Sequence, residues 1–434
     1  MSDLVIRGGT VVTRSSVGLA DVAVTDGRII AVGPNLDMDA EQEIDASGLH
    51  ILPGGIDSHV HFNEPGRTEW ETIAAGSAAL AAGGYTTFVD MPLNNLPVTI
   101  DGPAFDLKVA AAKRSSIVDF GFWGGLVPGN LDQLEELHAR GVLGFKAFMC
   151  PSGIDEFPAC DEKTLRDGMK RIAELDSILL VHAEDPARLL EPKGTNARDF
   201  LDSRPKEAEL SAIHDAISWA RTAGCRLHIV HVSTVEGMRL IQEAEGVDVS
   251  GETCPHYLLY TEEDLERIGG LGKCAPPFRT REDRDGLWAM IAGGSLPMVV
   301  SDHSPSTLDL KRGDDFNQIW GGISGCQSTR QLLLANGLDL QVIAALTSTN
   351  VARRFGLSRK GDVAAGLDAD LWLVDLTYGD VVRNTDLLYR NPFSAHEGQP
   401  IRGRTVRTLV RGESVFAEGL PVPGARGRLL TPTM

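Results

Sequence analysis

Apolar and polar positions alternate in two different ways along this chain. Near the N-terminus, LVIRGGTVVT, ADVAVTDGRIIAVG and QEIDASGLHILPG are short β-branched runs broken by turn residues. The pair Asp26-Gly27 sits between two apolar runs and predicts a tight hairpin. The C-terminal stretch repeats this style in ADLWLVDL and RTVRTLVRGESVFAEG, with Arg411-Gly412-Glu413 as a comparable turn. Neither end carries a helical period long enough to close a core alone. The two ends are therefore expected to pair into one small β domain.

From about residue 54 to 360 the pattern changes. Strand-like runs fall at 56–62, 85–91, 117–126, 144–150, 177–183, 226–232, 248–254 and 296–303. Between them lie stretches of helical period, such as the one that opens at Pro205 and stops at Gly224. Strands alternating with helices eight times over predict a parallel (β/α)8 TIM barrel. The expected fold class is thus α/β. A TIM barrel spans 54–359, and a small β-sandwich domain is formed by both chain termini, residues 1–53 and 360–434.

Composition narrows the function. The 434 residues carry 41 Lys and Arg against 60 Asp and Glu, a net charge of −19. An acidic chain without a long basic run is a poor partner for nucleic acid or an anionic membrane. No apolar stretch reaches the roughly 18 residues of a membrane span, and the start MSDLVIRGGTVV lacks the pattern of a signal peptide. Six Cys without paired spacing read as reduced thiols. A cytoplasmic protein acting on a small molecule is the expectation.

Ligand-type residues gather at the C-terminal ends of the predicted strands, where a barrel builds its active site. His59 and His61 close the first strand, His182 ends the fifth, His231 the sixth and Asp302 the eighth. Residues i and i+2 of a strand face the same side, so HVH aims two imidazoles at one point. Each histidine alone also suits a satisfied polar residue at a strand end; together they suit Zn²⁺ or a similar ion. His228 and His231 face opposite ways in one strand, and the strand-end position favours His231 as the inward one. Lys146 lies in the apolar run Gly144–Phe148. Either it snorkels its head to water, or burial leaves a neutral amine able to take up carbon dioxide as a carbamate.

These motifs resemble those of the cyclic amidohydrolases, a group that includes hydantoinases, dihydroorotases and allantoinases. The resemblance rests on HVH, GFKAF (144–148), VHAE, HIVHVS, ETCPHYL and SDHSP, with PGGID at 53–57 and KGDVAAGLDAD at 360–370. It implies two divalent metal ions, with Zn, Co, Mn and Fe all acceptable. By it, His59 and His61 bind one ion, His182 and His231 the other, and Lys146, as N6-carboxylysine, bridges them. Asp302 touches the first ion and shuttles protons as the catalytic residue. A homo-oligomer, dimer or tetramer, is also implied.

Three stretches resemble allantoinases in particular: NEPGRTEW (63–70), MPLNNLPVT (91–99) and SGIDEFP (152–158). Dihydroorotases carry Arg where this chain has Asn63, and a guanidinium suits a substrate carboxylate in a way a neutral amide does not. The resemblance therefore implies opening of the uncharged hydantoin ring of allantoin to allantoate, with Asn63, Asn94, Ala275 and Gly321 as substrate-binding candidates; the other reading of Asn63 is that it only holds its loop. A hydantoinase or dihydropyrimidinase would use the same metals on another ring. Dihydroorotase is disfavoured by Asn63, and a non-enzymatic scaffold of this fold would lack the ligands present here.

Overall fold

The structure is a computed structural model that describes residues 2–432; Met1, Thr433 and Met434 of the expected end domain lie outside the described residues. The central ring is built from Gly55–Val60, Tyr85–Asp90, Asp119–Phe122, Gly124–Gly125, Phe145–Phe148, Ile178–His182, Arg226–Ile229 and Val249–Gly251. They pair in parallel as two arcs, Gly55–Val60 to Asp119–Phe122 and Gly124–Gly125 to Val249–Gly251. Most residues of these strands are buried, and Ile178–His182 has the near-continuous apolar run that burial on both faces favours.

Two strands depart from expectation. The run at 117–126 is interrupted at Trp123, whose indole donates to the Ser58 carbonyl at 2.9 Å. Its first half pairs with Tyr85–Asp90 and its second with Phe145–Phe148. The run at 296–303 forms no continuous strand. Pro297 removes one donor, and Asp302 adopts a φ of 44°, outside strand geometry. Isolated parallel bridges from Val299 to Thr253 and from His303 to Val60 close the ring instead.

Helices cover the ring as the periodicity predicts. Lys206–Ala223 buries Ala208, Ala212, Ile213, Ala216 and Ala220, spaced by three and four residues, and ends on Gly224 at φ 66°. Glu162–Glu174 starts where Asp161 accepts from the Thr164 amide, a side-chain cap. No helix among the described residues is long and apolar enough to cross a membrane.

Both ends of the chain meet in one nine-stranded sheet. Ser2–Val12 pairs antiparallel with Val17–Thr25 and parallel with His50–Pro53, and His50–Pro53 pairs antiparallel with Leu371–Val381. Asp26 and Gly27 at φ 51° and 73° make the hairpin turn expected of them. Leu4, Ile6, Val22, Ile51, Leu371 and Leu409 share one core, so strands from both ends bury the same apolar face.

An ion cluster joins this sheet to the ring. Lys360 Nζ lies 2.8 Å from Asp119 Oδ2, 3.3 Å from Asp368 Oδ2 and 2.5 Å from Asp370 Oδ2, all buried. Arg411 pairs with the other Asp119 oxygen. Burial alone would lower Lys360, but Asp370, Asp119 and Asp368 outweigh it and hold the ammonium above its ordinary value.

Candidate active site

The C-terminal ends of the ring strands open into a cavity of about 520 Å³, lined by His59, His61, His182, His231 and Asp302 among others. Backbone conformation brings these side chains in: His231 and Asp302 take φ values of 40° and 44° at their strand ends. Non-glycine residues rarely adopt this region, and its strain persists where surrounding structure imposes it. Here it turns the side chains out of the strand and into the mouth.

The first group joins the ring closure. His59 Nε2 lies 3.2 Å and His61 Nε2 3.4 Å from Asp302 Oδ1. The three residues offer ligand atoms within 4.8 Å of one another. His59 Nδ1 meets Glu252 Oε1 at 2.7 Å. A carboxylate only accepts, so Nδ1 carries a proton toward Glu252. Burial would raise Asp302, but His59, His61 and His231 outweigh it and hold the carboxyl well below its usual range. Burial lowers His61, which the nearby carboxylates oppose.

The second group is His182 and His231, with Nδ1 and Nε2 3.0 Å apart. His182 Nε2 meets Glu184 Oε2 at 2.8 Å, and the same oxygen accepts from Arg204 Nη1 at 2.5 Å. Burial lowers both imidazoles; for His231, His182 and Lys146 push the same way. Neutral rings are the form that ligates a metal.

Lys146 lies behind these groups, buried, with its Nζ meeting no hydrogen-bond partner and standing 4.6 Å from the Phe148 ring centroid. Burial pushes it down to about 7, against the pull of Asp302 and Glu252. The side chain does not snorkel to water. An unpartnered amine, four inward imidazoles and a carboxylate form a donor set that fits divalent ions.

The substrate candidates fall in different places. Asn94, Ala275 and Gly321 line the cavity. Asn94 also lies 3.4 Å from His61 Nδ1, and its carbonyl accepts from Arg67. Asn63 departs from expectation: it is not among the lining residues, and its side-chain amide donates to the Pro305 carbonyl at 3.3 Å. Its φ is 61°, and the side chain is buried with its Oδ1 meeting no partner. His228 faces away from His231, as expected, and meets Ser250 and Glu252.

Sequence reasoning passed over Glu184, Glu252 and Arg204. Both glutamates lie inside quoted motifs, VHAE and ETCPHYL, and the signal was there: an acid near a ligand-type histidine is the usual partner of its second ring nitrogen. Arg204, far along the chain, carried no such signal.

A parallel barrel with this histidine, lysine and aspartate constellation at its mouth defines a hydrolase of the amidohydrolase class. The chain belongs to the amidohydrolase family, whose model matches residues 50–415. That membership implies a metal site, and the His59, His61 and Asp302 group is one able to hold an ion. Among its relatives is an allantoinase from Rubrobacter xylanophilus, 53% identical over 99% of this chain and 98% of that protein. Another, from Solibacter usitatus, is 50% identical over 100% and 97%. Among solved structures, an L-hydantoinase (dihydropyrimidinase) from Arthrobacter aurescens matches with a TM-score of 0.96 at 32% identity, covering 99% of this chain and 100% of that one.

Proposed function

We propose that this chain opens the hydantoin ring of allantoin with water to give allantoate. The observation that carries the reading is the donor set at the barrel mouth, His59, His61, His182, His231 and Asp302 around an unpartnered Lys146. Its extension to allantoin is supported by allantoinases 53% and 50% identical over nearly the whole chain. Residues 54–359 would form the catalytic barrel, and 1–53 with 360–434 the supporting β domain.

In this reading His59 and His61 would hold one divalent ion and His182 and His231 a second, with Lys146 as N6-carboxylysine completing the ligand set. Carbon dioxide reacts with the neutral amine, losing a proton, to give the anionic carbamate. Zn²⁺ suits these ligands, as do Co²⁺, Mn²⁺ and Fe²⁺. Bound ions supply Lewis acidity toward the ring carbonyl and make water nucleophilic at neutral pH. Asp302, ionised beside the imidazoles, accepts the proton released as water attacks. It returns that proton to the ring nitrogen as the C–N bond breaks, because an amide anion is a poor leaving group. Asn94 and the Gly321 main chain orient the ring.

The test is turnover of allantoin, hydantoin, dihydrouracil and dihydroorotate, with metal content measured on the same sample. Allantoin is expected to be opened fastest. Faster opening of hydantoin would move the assignment to a hydantoinase, a reading that the solved L-hydantoinase at TM-score 0.96 supports.

A further inference from the structure

The stretch from Asp309 to Gly322 forms one wall of the cavity, through Asn317, Ile319, Trp320 and Gly321. It contains two short 3-10 turns, Asp309–Lys311 and Phe316–Gln318, too little regular structure to fix its path. Two buried lysines supply the rest. Lys273 Nζ donates to the carbonyls of Phe316 at 2.8 Å, Asn317 at 2.9 Å and Ile319 at 2.6 Å. Lys311 Nζ donates to the carbonyls of Trp320, at 3.0 Å, and Gly322. The hydrogen bonds of both ammonium groups thus go to main-chain carbonyls of this wall.

Keeping the two amines there is unfavourable. Burial pushes Lys311 down to about 7 and Lys273 down to about 8, and an apolar side chain of similar length would avoid that penalty. What the amines provide is direction. In a trans peptide the C=O and the following N–H point to opposite sides. With the Trp320 carbonyl drawn to Lys311, the Gly321 N–H is turned away from Lys311. Gly321 lines the cavity, and among the described residues its N–H meets no acceptor, whereas Trp320 N–H is taken by the Leu310 carbonyl and Gly322 N–H by the Lys273 carbonyl.

We propose that Lys273 and Lys311 are positioning residues for substrate: by binding five carbonyls of this wall, they hold its backbone so that the Gly321 N–H is presented to the ring being opened. This rests on the functional reading above. Lys273 also lines the cavity, but the hydrogen bonds of both amines go to the wall, so their removal should weaken substrate binding more than the chemical step.

The experiment compares metal-loaded wild type with Lys311→Met and Lys273→Met on allantoin. Loss of one well-placed hydrogen bond should raise KM about ten-fold while kcat changes much less, with metal content unchanged. Peptides spanning 316–322 should exchange amide hydrogens faster. Lys311→Gln, which keeps an N–H donor, should recover part of the KM. An unchanged KM, or kcat and metal content falling together with KM, overturns the proposal. If a Met variant does not fold, Lys311→Gln is judged by the same readouts. If wild type leaves allantoin untouched, the functional reading fails instead, and hydrogen exchange still decides this one: unchanged exchange in Lys311→Met would sink it.

Discussion

His182 Nδ1 lies 3.0 Å from His231 Nε2 at the mouth of the barrel. Glu184 fixes the other nitrogen of His182 as a donor, so Nδ1 offers a lone pair. Burial keeps both rings below the usual imidazole range. Two neutral rings aimed along one line share either a proton or a cation, and the function proposed above puts a cation there. The predicted consequence is that His231→Ala loses bound metal and allantoin turnover together. Elemental analysis and a turnover assay on the same preparation check this. A variant with wild-type metal content and no turnover would remove His231 from the ligand set.

Glu184 and Glu252 never reach the cavity in this scheme, yet each sets the proton on a ligand histidine. Removing such a partner weakens metal binding about 10- to 100-fold. Glu184→Ala and Glu252→Ala should therefore need a correspondingly higher free metal concentration for half-maximal activity, with near-normal turnover once saturated. Titration of stripped protein with Zn²⁺ measures it. Unchanged affinity would show that packing alone orients His59 and His182.

Asp302 is both close to two imidazoles and held ionised by them. Asp302→Asn keeps the shape but cannot accept a proton. Turnover should fall about 10²- to 10⁴-fold, the range of a lost general acid–base group, with the His182 and His231 side of the site still binding metal. Full activity in this variant would contradict its proton role.

Most of this arrangement is legible in the sequence because strands and their ends are local features. HVH, VHA and SDH each declare a polar cluster after an apolar run, and the barrel rule puts such clusters at one mouth. The interruption at Trp123 and the bridged eighth segment are not local. They depend on Trp123 finding the Ser58 carbonyl and on His303 pairing with both Val60 and Ile323. Asn63 misled for a similar reason. Its identity suggested substrate contact, but its amide bonds the Pro305 carbonyl, 242 residues away, and it is not among the cavity-lining residues. Lys273 and Lys311 gave no sign because their partners are carbonyls, and every residue has one.

Acid stability follows from Glu252. Burial would raise this carboxyl, but His228 and His59 outweigh it and hold it down to about 2, against an ordinary 4.5. A carboxylate with a depressed folded pKa contributes stability above its unfolded value and loses it as pH falls through the folded one. The window is therefore about pH 4.5 to 2, and the contribution at neutral pH is up to about 3 kcal/mol. Denaturant unfolding of metal-stripped protein should show stability declining across this window, with a shallower decline for Glu252→Gln. Parallel pH curves for the two proteins would mean that other carboxylates control acid unfolding.

Lys360 tests how the end sheet is fastened to the ring. Its ammonium meets Asp119, at the start of a ring strand, together with Asp368 and Asp370 on the segment leading back into the sheet. Lys360→Met removes the cation and leaves three buried carboxylates with two guanidinium partners, Arg411 on Asp119 and Arg359 on Asp368 at 3.7 Å. Breaking a buried pair by deleting one partner costs about 3–5 kcal/mol. The loss should be smaller in a variant that also carries Asp370→Asn, because one uncompensated charge is then gone. A double-mutant cycle on unfolding free energy measures the coupling. Since the cluster lies away from the cavity-lining residues, the folded variant should keep its allantoin KM. A single-variant loss under about 1 kcal/mol would show that Arg411, Arg359 and solvent already satisfy the three acids, and that the sheet is held to the ring by apolar packing instead.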